Sequence, residues 1–284
     1  MTKGTIVLEG GAARGIFTAG VLDYLMEQDL YFNNVIGVSA GSCSGTSYIS
    51  RQVGRAKKTM IHEEYPFKYI NMKKYIKTRS LMDMETLFEI IPNDIYPFDY
   101  ETFFQSEMNL YIGVTNCITG EGEFLQVNEG EQKLMTACRA SSSLPLVAPM
   151  ITIDGQPYLD GGLSDSIPLQ KAIDLGEEKI ILILTRQSDY SKKPNTTGMN
   201  RIYGRKYREY PELVKCLRRR YRQYNEVSER IAQLEAEGRI FVIRPEVKPV
   251  SRLEDDQKVM EEFYDHGYSV MKEKYQELIE YLKK

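Results

Sequence analysis

Hydrophobic residues fall along this chain in short unbroken runs and in helical spacing, and seldom in the strict alternation of a half-exposed strand. The run 5–9 predicts a buried strand, 10–15 a tight glycine-rich turn, and 16–28 a helix packing through Ile16, Ala19, Gly20, Leu22 and Leu25. A second strand at 34–38 leads into a helix from 40 to about 53. Strand, turn and helix, repeated in this way, argue for parallel strands joined by helical crossovers, so the fold class is α/β.

Further on the pattern changes. Residues 55–104 are aromatic-rich and broken by Pro66, Pro92 and Pro97, which reads as an irregular wall or lid over a site. Segments 110–115 and 123–127 predict strands joined at Thr119-Gly120, and 131–141 a helix leading to Leu144-Pro145. Segments 150–153 and 156–159 flank Asp154-Gly155, a hairpin signal that puts Asp154 in an exposed turn. Residues 179–185 are apolar without alternation, as in a strand buried on both faces. From 192 to 222 Lys and Arg crowd together with Tyr203, Tyr207, Tyr210 and Tyr221 between them, whereas 254–280 leans acidic around a final helix. The expected organisation is a core over 1–190 with a helical extension over 191–284 packed on it.

Charge narrows the partners. With 37 Lys and Arg against 40 Asp and Glu, the net charge of −3 leaves little electrostatic footprint for nucleic acid. No run reaches transmembrane length, and the first residues enter a strand without the apolar core of a signal peptide, so a cytoplasmic protein is expected. The basic stretch 192–222 has two readings: peripheral contact with an anionic membrane, or a solvated helix face paired with the acidic C-terminal segment. Cys43, Cys117, Cys138 and Cys216 are scattered without a CxxC pair, which suits buried reduced thiols and gives neither a zinc site nor a disulfide framework. The oligomeric state is not legible. The two histidines, His62 and His266, restrict the mechanisms open to the chain.

Three short motifs carry chemistry. Gly37-Val38-Ser39-Ala40-Gly41, after a strand and before a helix, has the pattern of a nucleophile elbow, in which Gly37 and Gly41 permit a turn sharp enough to expose Ser39. Ala40 would offer its N–H at the start of the following helix, where negative charge is favoured. A tight structural turn with a capping serine fits the same five residues. Gly10-Gly11-Ala12-Ala13-Arg14-Gly15 is a second strand-to-helix turn whose backbone donors converge on an anion, the tetrahedral oxyanion in acyl transfer. A dinucleotide-binding turn competes here, but it calls for glycine at Ala12 and an acidic strand end near Asp29. The third motif, Asp160-Gly161-Gly162, places a carboxylate at a strand end, where sites in open α/β sheets gather.

Together and in this order, the three motifs resemble those of the patatin-like phospholipase family, as does the segment Ala140-Ser141-Ser142-Ser143-Leu144-Pro145. The resemblance covers residues 5–186, and the remainder is similar to an extension on some bacterial-type members. It implies a three-layer fold, a mainly parallel sheet between helices, and a lipid acyl hydrolase cleaving carboxylic ester bonds of phospholipids or related lipids without metal or cofactor. It further implies a Ser39–Asp160 dyad working through an acyl-enzyme, with Gly10 to Gly15 and Ala40 around the oxyanion. Ala12 departs from the family's glycine, which alanine replaces without strain only if its φ is negative. Arg14 either holds the turn together or meets a headgroup phosphate. A conventional triad takes its histidine after the acid in chain order, leaving His266 as its one candidate, while His62 reads as a surface or packing residue. The reading from another class is a non-catalytic lipid-binding or regulatory protein that keeps the pocket.

Overall fold

The computed structural model describes residues 1–62 and 82–284. Stretch 63–81 of the expected wall, including Pro66, lies outside the described residues. Eight strands among them form one mixed sheet: β1 (Thr2–Leu8), β2 (Phe32–Val38), β3 (Asn109–Asn116), β4 (Gly122–Leu125), β5 (Ile151–Ile153), β6 (Gln156–Asp160), β7 (Ile180–Ile183) and β8 (Phe241–Ile243). Their order is β5-β6-β3-β2-β1-β7-β8, with β4 also on β3. The β3-β2-β1-β7-β8 portion is parallel, and the pairings of β4, β5 and β6 are antiparallel.

The helices are α1 (Gly15–Glu27), α2 (Ala40–Ile49), α3 (Arg55–Ile61), α4 (Tyr100–Gln105), α5 (Glu131–Ser141), α6 (Leu169–Asp174), α7 (Thr197–Lys206), α8 (Pro211–Ala236) and α9 (Gln257–Lys283). A π-helical segment, Thr86–Ile95, includes Pro92. Side chains of the central strands alternate between two cores. Ile6 and Leu8 join α1, α2 and α9 on one face, and Val7 joins α6 and α8 on the other. Both faces are apolar, so the strands read as continuous hydrophobic runs, and the outcome is a three-layer sandwich with a mostly parallel sheet.

Beyond residue 191 the chain contributes to both layers and to the sheet. β8 pairs with β7, α8 covers one face, and α9 crosses α1. That crossing is close. A Cβ on Gly20 would overlap the Tyr264 carbonyl, and one on Gly267 the Phe17 carbonyl, so both helices need glycine where they meet. The strand β8 went unread because it spans three residues, although 240–243 is an unbroken apolar run. The second helix stops at Ile49, short of the expected 53.

Candidate active site

Register explains why two distant motifs meet. The last residue of β2, Val38, pairs with Gly113 of β3, and the last residue of β6, Asp160, pairs with Val114. Because β4 pairs with 112–115 on the opposite edge, β2 and β6 share one edge of β3 and run toward each other. Their carboxyl ends abut, and Ser39 and Asp160 are the residues at the junction.

Ser39 holds φ 55° and ψ −125°, a strained conformation for a residue with a side chain. The surrounding packing maintains it. A Cβ at Gly37 would stand 2.5 Å from the Ser42 Cα, so α2 starts hard against β2. A Cβ at Gly41 would come as close to the Leu8 carbonyl, which seats the helix on β1. The Ser39 N–H donates to Ser141 Oγ at 2.8 Å, and Ser141 Oγ donates to the Gly113 carbonyl at 2.6 Å. Two residues on, the Ser143 carbonyl accepts the Asp160 N–H at 2.8 Å. One segment therefore clamps both ends of the junction, a role that spacing alone did not reveal for Ser141 and Ser143.

Asp160 is 2 % exposed. Its Oδ1 accepts the Gly162 N–H at 2.8 Å, and its Oδ2 is buried with no partner of strict hydrogen-bond geometry among the described residues. Burial pushes the carboxyl above the usual carboxylate range, and the neighbouring Ser39 hydroxyl is the strongest influence opposing this, followed by Arg220. Catalytic hydrogen bonds in empty sites are often loose and tighten with substrate. The glycines after the aspartate serve contact: a Cβ at Gly161 would overlap the Gly113 carbonyl.

The Gly10-to-Gly15 turn runs beside the elbow. A Cβ on Gly10 would lie 2.9 Å from the Val38 carbonyl, and one on Gly15 2.8 Å from Ala40 Cβ. Within the turn, the Ala13 N–H donates to the Arg252 carbonyl at 3.2 Å and the Arg14 N–H to the Gly11 carbonyl at 3.3 Å. Ala12 takes φ 50°, so the negative angle at which alanine replaces the family's glycine without strain is not met.

A cavity of about 510 Å³ opens on Ser39, Ala12, Ala13 and Ala40 and runs between Met60, Phe88, Ile91 and Met260. Its lining is largely apolar. The π-helical segment and α9 both contribute, so the wall expected from the middle of the sequence is shared with the C-terminal helix. A second cavity of about 400 Å³, around Ser164, Asp165 and Gln223, is not bordered by Ser39.

Residues 6–173 match the family model described as patatin-like phospholipase. The chain belongs to the patatin-like phospholipase family. That membership sets it among lipid hydrolases at the level of the family. Residues 210–283 also match a model described as a domain of unknown function, DUF6363. An uncharacterized protein of Escherichia coli (strain K12), YjjU, is 28% identical over 248 residues, covering 84% of this chain and 68% of that protein. The patatin-like phospholipase domain-containing protein 2 of Rattus norvegicus is 22% identical over 214 residues, and the match spans 71% of this chain but 42% of the rat protein. In fold, the chain is similar to the crystal structure of VipD from Legionella pneumophila, with a TM-score of 0.52 at 12% identity, over 96% of this chain and 66% of that one.

Neither histidine of this patatin-like chain lies at the junction as a triad member would. His266 accepts the Glu246 N–H on Nε2 at 3.0 Å, packs against Phe17 and Phe263, and does not border the cavity. His62 is buried in the cavity wall, where desolvation lowers its pKa to about 4 and keeps it neutral near pH 7. Asp154 sits exposed in the β5–β6 hairpin turn with φ 49°, followed by Gly155 at φ 78°, far along β6 from Asp160. The basic stretch forms α7 and the first half of α8. Lys215 pairs with Glu212 in its own helix, and among the described residues no ion pair joins the stretch to the acidic C-terminal segment. No described helix is long and apolar enough to cross a membrane.

Proposed function

We propose that this chain is a lipid acyl hydrolase that cleaves carboxylic esters with Ser39 as nucleophile and Asp160 as its base. The observation that carries this is the abutment of β2 and β6, which sets a strained, cavity-facing serine beside a buried carboxylate with one uncommitted oxygen. Ser39 Oγ bonds to the acyl carbonyl carbon while its proton passes to Asp160. The carbonyl oxygen becomes an oxyanion, held by the N–H of Ala40 at the head of α2 and by donors of the Gly10–Gly11–Ala12 turn. Collapse breaks the bond to the alcohol, which leaves with the proton from Asp160. Water then gives its proton to Asp160, attacks the acyl-enzyme, and Ser39 recovers its hydrogen as the fatty acid departs. A base pushed above the usual carboxylate range suits this duty better than an ordinary aspartate, because proton transfer is best driven when the base titrates near working pH.

The apolar cavity supports a long acyl chain as the acid part of the substrate. The same reading includes peripheral contact with an anionic bilayer through the basic stretch, where Lys215, Arg218 and Arg219 are exposed and Ile202 is 50% exposed. Sedimentation with anionic vesicles that weakens with salt supports this contact; binding indifferent to salt and lipid charge removes it. The reaction itself is tested with a fluorophosphonate probe and a soluble ester. The native chain is expected to label and turn over, and Ser39→Ala to do neither. Labelling that persists in Ser39→Ala overturns the nucleophile, and absence of labelling and turnover in the native chain leaves a lipid-binding protein.

A further inference from the structure

The turn that carries Asp160 is held from two sides. On one side the partners belong to the sheet and to the turn itself: the Thr115 hydroxyl of β3 donates to the Asp160 carbonyl at 2.8 Å, and the Gly161 carbonyl accepts the Asp165 N–H at 2.9 Å. The next two carbonyls are reached from α8. Arg220 donates Nε to the Gly162 carbonyl at 2.6 Å, and Cys216, on the same helix face one turn earlier, donates its thiol to the Leu163 carbonyl at 3.4 Å. Burial pushes the Cys216 thiol up to about 11, which keeps it a donor near pH 7.

Gly162 is where these bonds bear on the chemistry. Its N–H fixes Asp160 Oδ1 at 2.8 Å, yet a residue without a Cβ rotates freely unless its neighbours restrain it. Two side chains do so, because the Gly162 carbonyl accepts both Arg220 Nε and the Ser166 hydroxyl, the latter at 2.8 Å. Packing closes the position further. A Cβ on Gly162 would lie 3.0 Å from Asp160 Oδ1, 3.4 Å from Ser166 Oγ and 3.6 Å from Arg220 Nη2, so carboxylate, hydroxyl and guanidinium gather over one α-carbon. Among the described residues no ion pair joins Arg220 to Asp160. A guanidinium bound to the carboxylate itself would engage its oxygens. Arg220 stands behind the turn instead, and Asp160 Oδ2 stays uncommitted.

We propose that Arg220 is a positioning residue for Asp160: it fixes Gly162, whose N–H orients one carboxylate oxygen, and so keeps the other oxygen free to take the proton of Ser39. The inference rests on the acyl-hydrolase reading. It also gives the C-terminal part of the chain a task at the site, since Arg220 and Cys216 lie within residues 210–283, matched by the domain of unknown function, and outside the matched residues 6–173. Charge adds to the bond. The groups that oppose the rise of the buried carboxyl are the Ser39 hydroxyl, Arg220, the Gly162 N–H and Arg252, in that order. Without Arg220, burial meets less opposition and the carboxyl titrates higher.

Hydrolysis of p-nitrophenyl butyrate across a range of pH tests this. Arg220→Met is expected to lower kcat by about tenfold or more, the scale of a misplaced catalytic group, with KM little changed, and to move the acid limb of kcat/KM to higher pH. Arg220→Lys keeps a cation but not the Nε bond, so its limb is expected to stay near the native one while kcat falls severalfold. Melting curves establish which variants fold, and Arg220→Lys carries the test if the methionine variant does not. Native kcat in either folded variant overturns the positioning role. A fall in kcat with the limb of Arg220→Met unmoved marks an arginine that only supports the fold, and overturns the role as well. In an Asp160→Asn background, Arg220→Met is expected to slow fluorophosphonate labelling no further, and a full additional loss there contradicts action through Asp160. A native chain that neither hydrolyses the ester nor labels overturns the acyl-hydrolase reading itself, an outcome visible before any substitution is made.

Discussion

Ser141 stands 102 residues from Ser39, yet its hydroxyl accepts the Ser39 N–H, and the strained turn at Ser39 rests on that bond. The hydroxyl is spent twice, because it also donates to the Gly113 carbonyl. Ser141→Ala leaves a buried donor and a buried acceptor unpaired, at a cost of about 1–3 kcal/mol. The expected outcome is a lower melting temperature together with slower fluorophosphonate labelling. Unchanged labelling alongside lowered stability would show that the elbow keeps its geometry without this support.

Asp160→Asn is expected to separate activity from stability. The amide oxygen can still accept the Gly162 N–H, but the base is gone, so turnover falls by about 10³-fold, the scale of general base catalysis. The sign for stability is the opposite. The folded-state pKa lies above the unfolded value of 3.8, so this group's favourable contribution is complete below 3.8 and is lost as pH rises through the folded pKa. At pH 8 the variant is therefore expected to melt higher than the native chain. A lower melting point at pH 8 would count against the buried, raised carboxyl.

The same shift sets the pH profile. In the proposed reaction Asp160 must be ionised to take the proton of Ser39, so the acid limb of kcat/KM is expected to have its midpoint above 3.8, and a limb at or below that value contradicts Asp160 as the base.

Ala12→Gly removes the cost of a left-handed alanine, about 1 kcal/mol, against the extra freedom glycine gives the unfolded chain. Stability is expected to stay within about 1 kcal/mol of native, with labelling retained. Severe loss of labelling would assign the Ala12 methyl group a part in the site.

At the crossing of α1 and α9, Gly267→Ala forces a methyl group into the Phe17 carbonyl, and overpacking of this kind costs about 1–3 kcal/mol. The melting temperature is expected to fall, and the labelling rate with it, since α9 follows directly on the segment of Arg252 that borders the site. A drop in stability with native labelling would show that the helix crossing and the site are uncoupled.

Much of this architecture was legible in the sequence because its strands are buried on both faces and its turns are punctuated by glycine. β1, α1 and β2 lie within a few residues of their expected bounds for that reason. The long helix α8 was obscured by its charge, although Leu213, Leu217, Tyr224, Ile231 and Leu234 recur on one buried face. The π-helical segment was hidden by Pro92, which in sequence signals an interruption. At the site, the three motifs could be read locally, but their junction could not. Val38 and Asp160 meet through β3, and no spacing within either motif reports which residues of a third strand they share. The roles of Ser141, Arg220 and Arg252 went unread on the same grounds, because each acts through a backbone group far away in the chain.

The bond from the Ala13 N–H to the Arg252 carbonyl also ties the first strand-to-helix turn to a residue made late in synthesis. Ser39 and Asp160 have both been synthesised well before residue 252 emerges, and domains fold as their parts become available. Until then the turn beside Ser39 lacks that partner. A nascent chain that already carries Ser39 and Asp160 is thus still without one of the bonds that hold the Gly10-to-Gly15 turn.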